Sequence, residues 1–164
     1  MPTPMSQYEQ LTLALQVVVT VAAFISLAFL YRQVRVMVAQ IVATQEASRA
    51  QSALALVGFL QSADVRASRH CVRSSLSAKH HSQWTDEERN HAALVCANYD
   101  VTASLLRAKV APIELIVVNW GPSITHCHEI LSPYMTDLRS KPGSHPAYWS
   151  NFDWLKSQVT NTTR

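Results

Sequence analysis

The chain has 164 residues, enough for one small domain and an additional segment. Its 14 Lys and Arg side chains against 11 Asp and Glu give a formal charge of +3, which is too small an excess for a dedicated nucleic-acid-binding protein. The three cysteines, Cys71, Cys96 and Cys127, are odd in number and lack CxxC spacing, which favours a reducing compartment over a disulfide framework.

The segment from Leu11 to Tyr31 is apolar and contains no charged side chain. As a helix it would be about 31 Å long, close to the roughly 30 Å hydrocarbon core of a bilayer. A cleaved signal peptide is disfavoured because no Lys or Arg precedes the segment and no clean A-x-A site follows it. The pattern therefore predicts a transmembrane helix over residues 11–31, preceded by a short N-terminus over residues 1–10.

The charges around this segment predict its orientation. Arg32 and Arg35 follow it directly, and basic residues mark the cytoplasmic end of a span. We therefore expect the N-terminus outside and the remainder of the chain in the cytoplasm. Within the span, Gln16, Thr20 and Ala23 form a face suited to close packing against other transmembrane helices.

Residues 32–51 are predicted to form a helical stalk, because no Gly or Pro occurs between Met5 and Val57 to end the helix. Val34, Met37 and Ile41 are spaced as on one helical face, which would either pair with a neighbouring helix or remain exposed. A cytoplasmic helical domain is predicted over residues 52–160, followed by a polar tail over 161–164.

The first half of this domain shows three helical patterns. Residues 53–60 are mostly apolar and are predicted to form the first helix of the domain. Asp64 is predicted to cap a second helix over residues 65–78. The polar segment 79–83 is predicted to be a loop. Thr85 and Glu88 match a capping box for a third helix. The apolar positions of that helix recur at spacings of three and four: Ala92, Val95, Tyr99, Ala103 and Leu106.

The second half of the domain shows two further helices. Pro112 suits the first position of a helix, and Gly121-Pro122 predicts a kink or break in its middle. Residues 140–143 predict a turn before a last amphipathic helix that begins near Tyr148. The predicted class is all-α: one N-terminal transmembrane helix continues into a helical stalk, and a small cytoplasmic bundle of about five short helices follows.

Four stretches carry a resemblance to a known family: Asn98-Tyr99-Asp100, residues 119–124 (NWGPSI), residues 131–134 (LSPY) with Arg139, and residues 148–152 (YWSNF). Over about residues 50–156 the chain resembles a family of uncharacterised bacterial proteins that are single-span, membrane-anchored and all-helical. The resemblance implies the same fold and a place in the bacterial inner (plasma) membrane, and it transfers no catalytic residue. The chain departs from the family at residues 126–128, where a Trp is expected.

Residues 126–129 are His, Cys, His and Glu, all of which can bind metal. On a helix, residues two apart point about 200° away from each other, so His126 and His128 cannot share one ion unless the helix is unwound. We therefore predict no metal site, with His126 and His128 as weak candidates, and no cofactor. Packing of Cys127 or His128 against the core is the favoured alternative.

A basic stripe is predicted on the second helix of the domain, because residues 65–83 contain no acidic side chain. Arg66, Arg69 and Arg73 are expected to share one face, which could contact anionic lipid, an acidic patch of a partner, or only solvent. Trp149, in an aromatic cluster near the last helix, is a further candidate for partner contact.

The sequence offers little support for an enzyme. Arg73 and His80 loosely resemble the Arg/His pair of some helical ribonucleases, but this spacing is permissive, and the chain contains no phosphate-binding loop or Ser/His/Asp order. We therefore predict a non-enzymatic accessory subunit of a larger membrane complex. Its partners would be other transmembrane subunits and lipid, with self-association left open and no nucleic acid. The alternatives are a membrane-tethered enzyme and a metal-sensing domain.

Overall fold

The computed structural model describes residues 6–162 of the chain. All regular secondary structure in this range is helical, as predicted: α1 (Gln7–Leu60), α2 (Ala63–Ser74), α3 (Asp86–Arg107), α4 (Ile113–Ser140) and α5 (Ser150–Thr162). Two single-turn 3₁₀ helices, Leu76–Ala78 and His81–Gln83, lie between α2 and α3. The chain divides into two compact units, Met1–Ala47 and Ser48–Arg164.

The described part of the first unit is the N-terminal portion of α1. Every side chain from residue 6 to residue 47 is exposed, and α1 is long and apolar enough to cross a membrane by length and composition. The hydroxyls of Thr12, Thr20 and Thr44 each donate a hydrogen bond to the carbonyl oxygen four residues earlier. These hydroxyls are therefore satisfied within the helix, and for Thr12 and Thr20, which lie in the predicted span, a lipid environment would require this.

The second unit is a helical bundle around one apolar core. The predicted helix at residues 53–60 is the end of α1, which buries Ala53, Leu56 and Leu60 in this core. Helix α3 packs against α2 and α5, and α4 packs against α5 and α2. The largest fully buried side chains include Tyr99 and Phe152, at the centre of the contact between α3 and α5.

Several helix ends differ from the prediction. Ser62 rather than Asp64 is the N-cap of α2, and Asp64 lies in the first turn, where its charge suits the helix dipole. Helix α2 ends at Ser74 instead of residue 78, and part of the predicted loop over 79–83 is a 3₁₀ turn. Pro112 is the N-cap of α4, one residue before the predicted position.

The prediction at Gly121-Pro122 was a kink or a break, and the break is wrong, because α4 runs without interruption through Pro122 and Pro133. Both prolines lie on the exposed side of the helix. Each removes the N–H that would bond the carbonyl four residues earlier, at Val118 and Glu129, and both of these residues are exposed, so water can hydrate the freed oxygens. Gly121 serves close packing instead: a Cβ there would lie 3.2 Å from Cγ1 of Val159 on α5.

The last helix begins later than predicted. Helix α5 starts at Ser150, two residues after Tyr148, and the preceding residue, Trp149, has a φ of 59°. At its other end α5 includes residues 161 and 162 of the predicted tail, while residues 163–164 lie outside the described part of the chain. Only residues 6–10 of the predicted N-terminus are described, and α1 begins within them at Gln7.

The capping box at the start of α3 is confirmed. The Thr85 hydroxyl accepts a hydrogen bond from the Glu88 N–H, and the Glu88 carboxylate accepts one from the Thr85 N–H. The same carboxylate pairs with the Lys79 ammonium at 2.6 Å. Its hydrogen bond with Lys79 and the backbone hydrogen bond from Thr85 lower the pKa of Glu88 below its usual value of 4.5.

We predict that Glu88→Gln weakens the fold at neutral pH and that this difference disappears in acid. Because the folded-state pKa of Glu88 is lowered, the carboxylate stabilises the fold above pH 4.5 and loses this contribution as the pH falls through the folded-state pKa. Thermal unfolding of both proteins between neutral pH and acid measures the effect. Glu87→Gln, at the neighbouring exposed position, is the control. If the melting temperature changed with pH in the same way in the parent protein and in both variants, the prediction would be contradicted.

Candidate functional site

Several of the residues that carried the family resemblance meet at the start of α5. The Asp100 carboxylate, on α3, accepts hydrogen bonds from the backbone N–H groups of Asn151 and Phe152 at 2.9 and 3.2 Å. Its second oxygen accepts from the Asn151 side chain at 3.3 Å. A helix start leaves N–H groups without intrahelical partners. Here a carboxylate from another helix accepts from the Asn151 N–H and shares the Phe152 N–H with the Trp149 carbonyl oxygen, 3.2 Å away. Asp100 therefore acts as an N-terminal cap for α5.

A second polar group joins α4 to the same region. Arg139 donates hydrogen bonds to the Tyr148 carbonyl oxygen and to the Asp153 carboxylate, both at 2.7 Å. The other Asp153 oxygen lies 2.8 Å from Nε2 of His128. Arg139 is about three-quarters buried, and through these contacts its guanidinium group binds α5 and the segment before it. Arg139 and Asp153 therefore hold α4 and α5 together.

The third motif residue, Tyr99, lies inside the core. Its ring stacks on Phe152 with centroids 5.0 Å apart, and its hydroxyl lies 3.1 Å from the Ser123 hydroxyl. Burial raises the pKa of Tyr99 to about 12, and the hydrogen bond to Ser123 and the charge of Arg69 only partly offset this rise. Tyr99 therefore remains protonated and joins α3, α4 and α5 structurally.

The cysteines do not form a reactive site in the folded chain. Cys96 and Cys127 are fully buried, and burial raises the pKa of each thiol. The hydrogen bond with Ser123 and the charges of Arg73 and Arg69 lower the pKa of Cys127 too little to reverse this rise. Burial also raises the pKa of Cys71, which is partly exposed. A thiol rather than a thiolate is a poor nucleophile and a poor metal ligand.

The two candidate metal ligands point to different surroundings. Helix α4 is continuous through residues 126–129, so the unwinding that a shared ion needs does not occur. His126 is exposed, Cys127 is in the core, and His128 is engaged with Asp153. Across the described residues no group of three His, Cys, Asp or Glu side chains is arranged to hold a metal.

The basic stripe on α2 is smaller than predicted. Arg66 and Arg73 are exposed with His70 between them, but Arg69 is only 6% exposed. The prediction that Arg69 shares the exposed face is therefore wrong. Arg69 lies four residues after the buried Val65 and three before the buried Val72, which turns it towards the core. We use the name α2 basic face for Arg66, His70 and Arg73.

The α2 basic face carries unpaired positive charge. Neither Arg66 nor Arg73 forms an ion pair with any residue that the structure describes. The Arg73 Nε instead donates to the carbonyl oxygen of Arg69 at 3.3 Å, within the same helix. Nδ1 of His80 lies 2.9 Å from the Ser82 hydroxyl, and no hydrogen bond between described residues joins Arg73 to His80. Arg73 and His80, the pair on which the enzymatic alternative depends, are therefore not joined by a direct hydrogen bond among the described residues.

The remaining predicted contact residues lie in two places. Trp149 is half-buried, and its ring lies 4.4 Å from that of the exposed Tyr148 and 6.2 Å from that of Tyr134. Gln16, Thr20 and Ala23 lie on the exposed first part of α1, where Gln16 and Thr20 border a groove of about 200 Å³. Thr20 donates to the Gln16 carbonyl oxygen.

One surface feature of the second unit was not predicted. An apolar groove of about 320 Å³ lies between the end of α1 and the second half of α3, and its lining includes Phe59, Val101, Leu105 and Val110. The sequence does indicate a second apolar face on α3, because Val101 and Leu105 are four residues apart. This face differs from the one formed by Ala92, Val95 and Tyr99.

A comparison with models of known protein families finds a match. A family model described as a domain of unknown function, DUF4760, matches residues 12–158. This match begins inside the apolar first part of α1 and so extends beyond the stretch of residues 50–156 that carried the resemblance. No curated protein and no solved structure matches the chain.

Proposed function

The chain belongs to the DUF4760 family of domains of unknown function, and from its own residues we propose that it is a non-enzymatic accessory subunit of a larger membrane protein complex. Residues 11–31 anchor it as a single-pass protein of the bacterial inner membrane, with the N-terminus outside. The helical domain after the stalk docks, in the cytoplasm, on another subunit. The observation that carries the docking role is the α2 basic face, which exposes two arginines that have no acidic partner among the described residues 6–162.

The polar residues of α3, α4 and α5 make structural contacts, which supports an interaction role over an enzymatic one. Asp100, Arg139, Asp153 and His128 are engaged in joining α3, α4 and α5. The buried thiols and Tyr99 are held in their protonated forms. These side chains stabilise the bundle, whereas a general acid or base needs a pKa near neutrality and access to a substrate.

An acidic protein surface is the partner that suits the α2 basic face. Arginine side chains pair with carboxylates in a two-pronged geometry, and complementary charge speeds association and fixes orientation. Residues 65–83 contain no acidic side chain that could compete for the arginines. The partner would therefore be the cytoplasmic part of a membrane subunit that presents Asp and Glu side chains.

Charge reversal on the α2 basic face tests this proposal. We expect Arg66→Glu with Arg73→Glu to reduce recovery of the partner several-fold after gentle extraction from native membranes, because like charges would then meet at the interface. Quantitative mass spectrometry of the co-purifying proteins measures the loss. Lys109→Glu with Lys156→Glu changes the net charge equally away from α2 and is the matched control.

Two outcomes would count against the docking role. Equal losses in the test and control proteins would show that net charge matters and the α2 basic face does not. Retained partner recovery, together with loss of binding to vesicles that contain anionic lipid, would identify the face as a lipid contact. Circular dichroism of each purified variant checks that the helical fold is kept.

A further inference from the structure

The first part of α1 carries a regular seam of small, apolar and uncharged residues. In the predicted span the seam contains Gln16, Thr20, Ala23, Leu27 and Leu30, at alternating spacings of four and three. The same alternation continues after the span through Val34, Met37 and Ile41. Spacings of three and four that repeat every seven residues are the pattern of a helix that pairs with another helix along its length.

The charged residues of this region avoid the seam. If Val34 and Ile41 occupy position a of the heptad and Met37 position d, Arg32 and Glu46 occupy position f and Arg35 position b. These positions point away from a paired helix, and no Lys, Arg, Asp or Glu between residues 16 and 45 occupies position a, d, e or g. Two copies of this helix could therefore approach along the seam without repulsion between like charges.

The seam also contains groups that lack a partner within the part of the chain that the structure describes. Val34, Met37 and Ile41 are each between 57 and 61% exposed, although they follow the predicted span and would face water. In the span, the side-chain amide of Gln16 makes no hydrogen bond to any described residue. An amide without a hydrogen bond is costly in hydrocarbon, and Gln commonly bonds across paired transmembrane helices.

We propose that α1 pairs with α1 of a second copy of this chain, in parallel and in register, along the seam from Gln16 to Ile41. This inference rests on the proposed membrane anchor, because a shared membrane orientation makes the two helices parallel and brings each seam residue to the depth of its counterpart. An amide both donates and accepts, so Gln16 is complementary to its own copy. Thr20 and Ala23 are small enough to let the two backbones approach.

Disulfide scanning of the full chain in native membranes tests the seam. All proteins carry Cys71→Ser, which removes the partly exposed native thiol. Val34→Cys and Ile41→Cys place a thiol on the seam, whereas Val36→Cys and Ala39→Cys place one on the opposite side of the same stretch. After mild oxidation with a copper–phenanthroline complex, we expect several-fold more disulfide-linked dimer from the seam variants than from the matched controls.

A second measurement distinguishes a failure of the proposed helix pairing from a failure of the proposed membrane anchor. Alkaline carbonate extraction of the same membranes reports whether the chain remains with the bilayer. A chain that is released would overturn the anchor and hence the proposed function. A chain that is retained but gives equal or no cross-linking at all four positions would overturn the pairing alone. Gln16→Leu should raise the dissociation constant in the bilayer about 3- to 20-fold. Val18→Leu, at position f on the side away from the paired helix, is the control off the seam.

Discussion

Phe152→Ala is expected to lower the free energy of unfolding by about 3–5 kcal/mol, the usual cost of emptying a buried aromatic site. Phe152 is completely buried. Its ring stacks on Tyr99 at 5.0 Å and meets the edge of His128 at 5.1 Å, so one side chain joins α5 to α3 and α4. The substitution removes all of these contacts and leaves a cavity between three helices.

Chemical denaturation monitored by circular dichroism measures this loss. Val118→Ala is the control, because Val118 is 74% exposed on α4 and its truncation should change stability by no more than about 0.5 kcal/mol. A cost below about 1 kcal/mol for Phe152→Ala would contradict the position of Phe152 at the meeting point of the three helices.

Asp100→Ala is expected to lower the free energy of unfolding by about 1–3 kcal/mol, because it removes the acceptor of the Asn151 N–H and one of the two acceptors of the Phe152 N–H at the start of α5. The loss should be local. Amide hydrogen exchange at Asn151 and Phe152, the two backbone donors to Asp100, should accelerate more than exchange in the middle of α3.

Two further variants sharpen this test. Asp100→Asn keeps one carbonyl oxygen that can accept a hydrogen bond, so its cost should lie between those of the parent and of Asp100→Ala. Asp86→Ala removes a carboxylate that is 99% exposed at the start of α3 and should have a much smaller effect. Unchanged exchange at Asn151 and Phe152 in Asp100→Ala would show that the carboxylate does not cap α5.

Local patterns predicted much of the fold. The capping box at Thr85 and Glu88 and the apolar periodicity of α3 depend on neighbouring residues, and both were read directly from the sequence. Two features could not be read in this way. Asp100 caps a helix that begins about 50 residues later in the chain, and Pro122 is tolerated in α4 because tertiary packing leaves its side of the helix in water.

The α2 basic face shows where helical spacing alone could not decide. Arg69 lies three residues after Arg66 and four before Arg73, but also four residues after the buried Val65 and three before the buried Val72. Spacing therefore fits both faces, and the packing of α2 against the other helices places Arg69 in the core. Trp149 was harder to predict, because its partial burial depends on Tyr134 and Tyr148, which lie on α4 and in the segment before α5.

The central claim is that the chain is an accessory subunit of a membrane complex, and extraction of the tagged full chain from native membranes in a mild detergent tests it most directly. Size separation and quantitative mass spectrometry would identify what remains bound. We predict that the chain is recovered in a fixed ratio with at least one larger membrane subunit that presents an acidic cytoplasmic surface. Recovery only as a monomer, or only as copies of itself, would contradict this account.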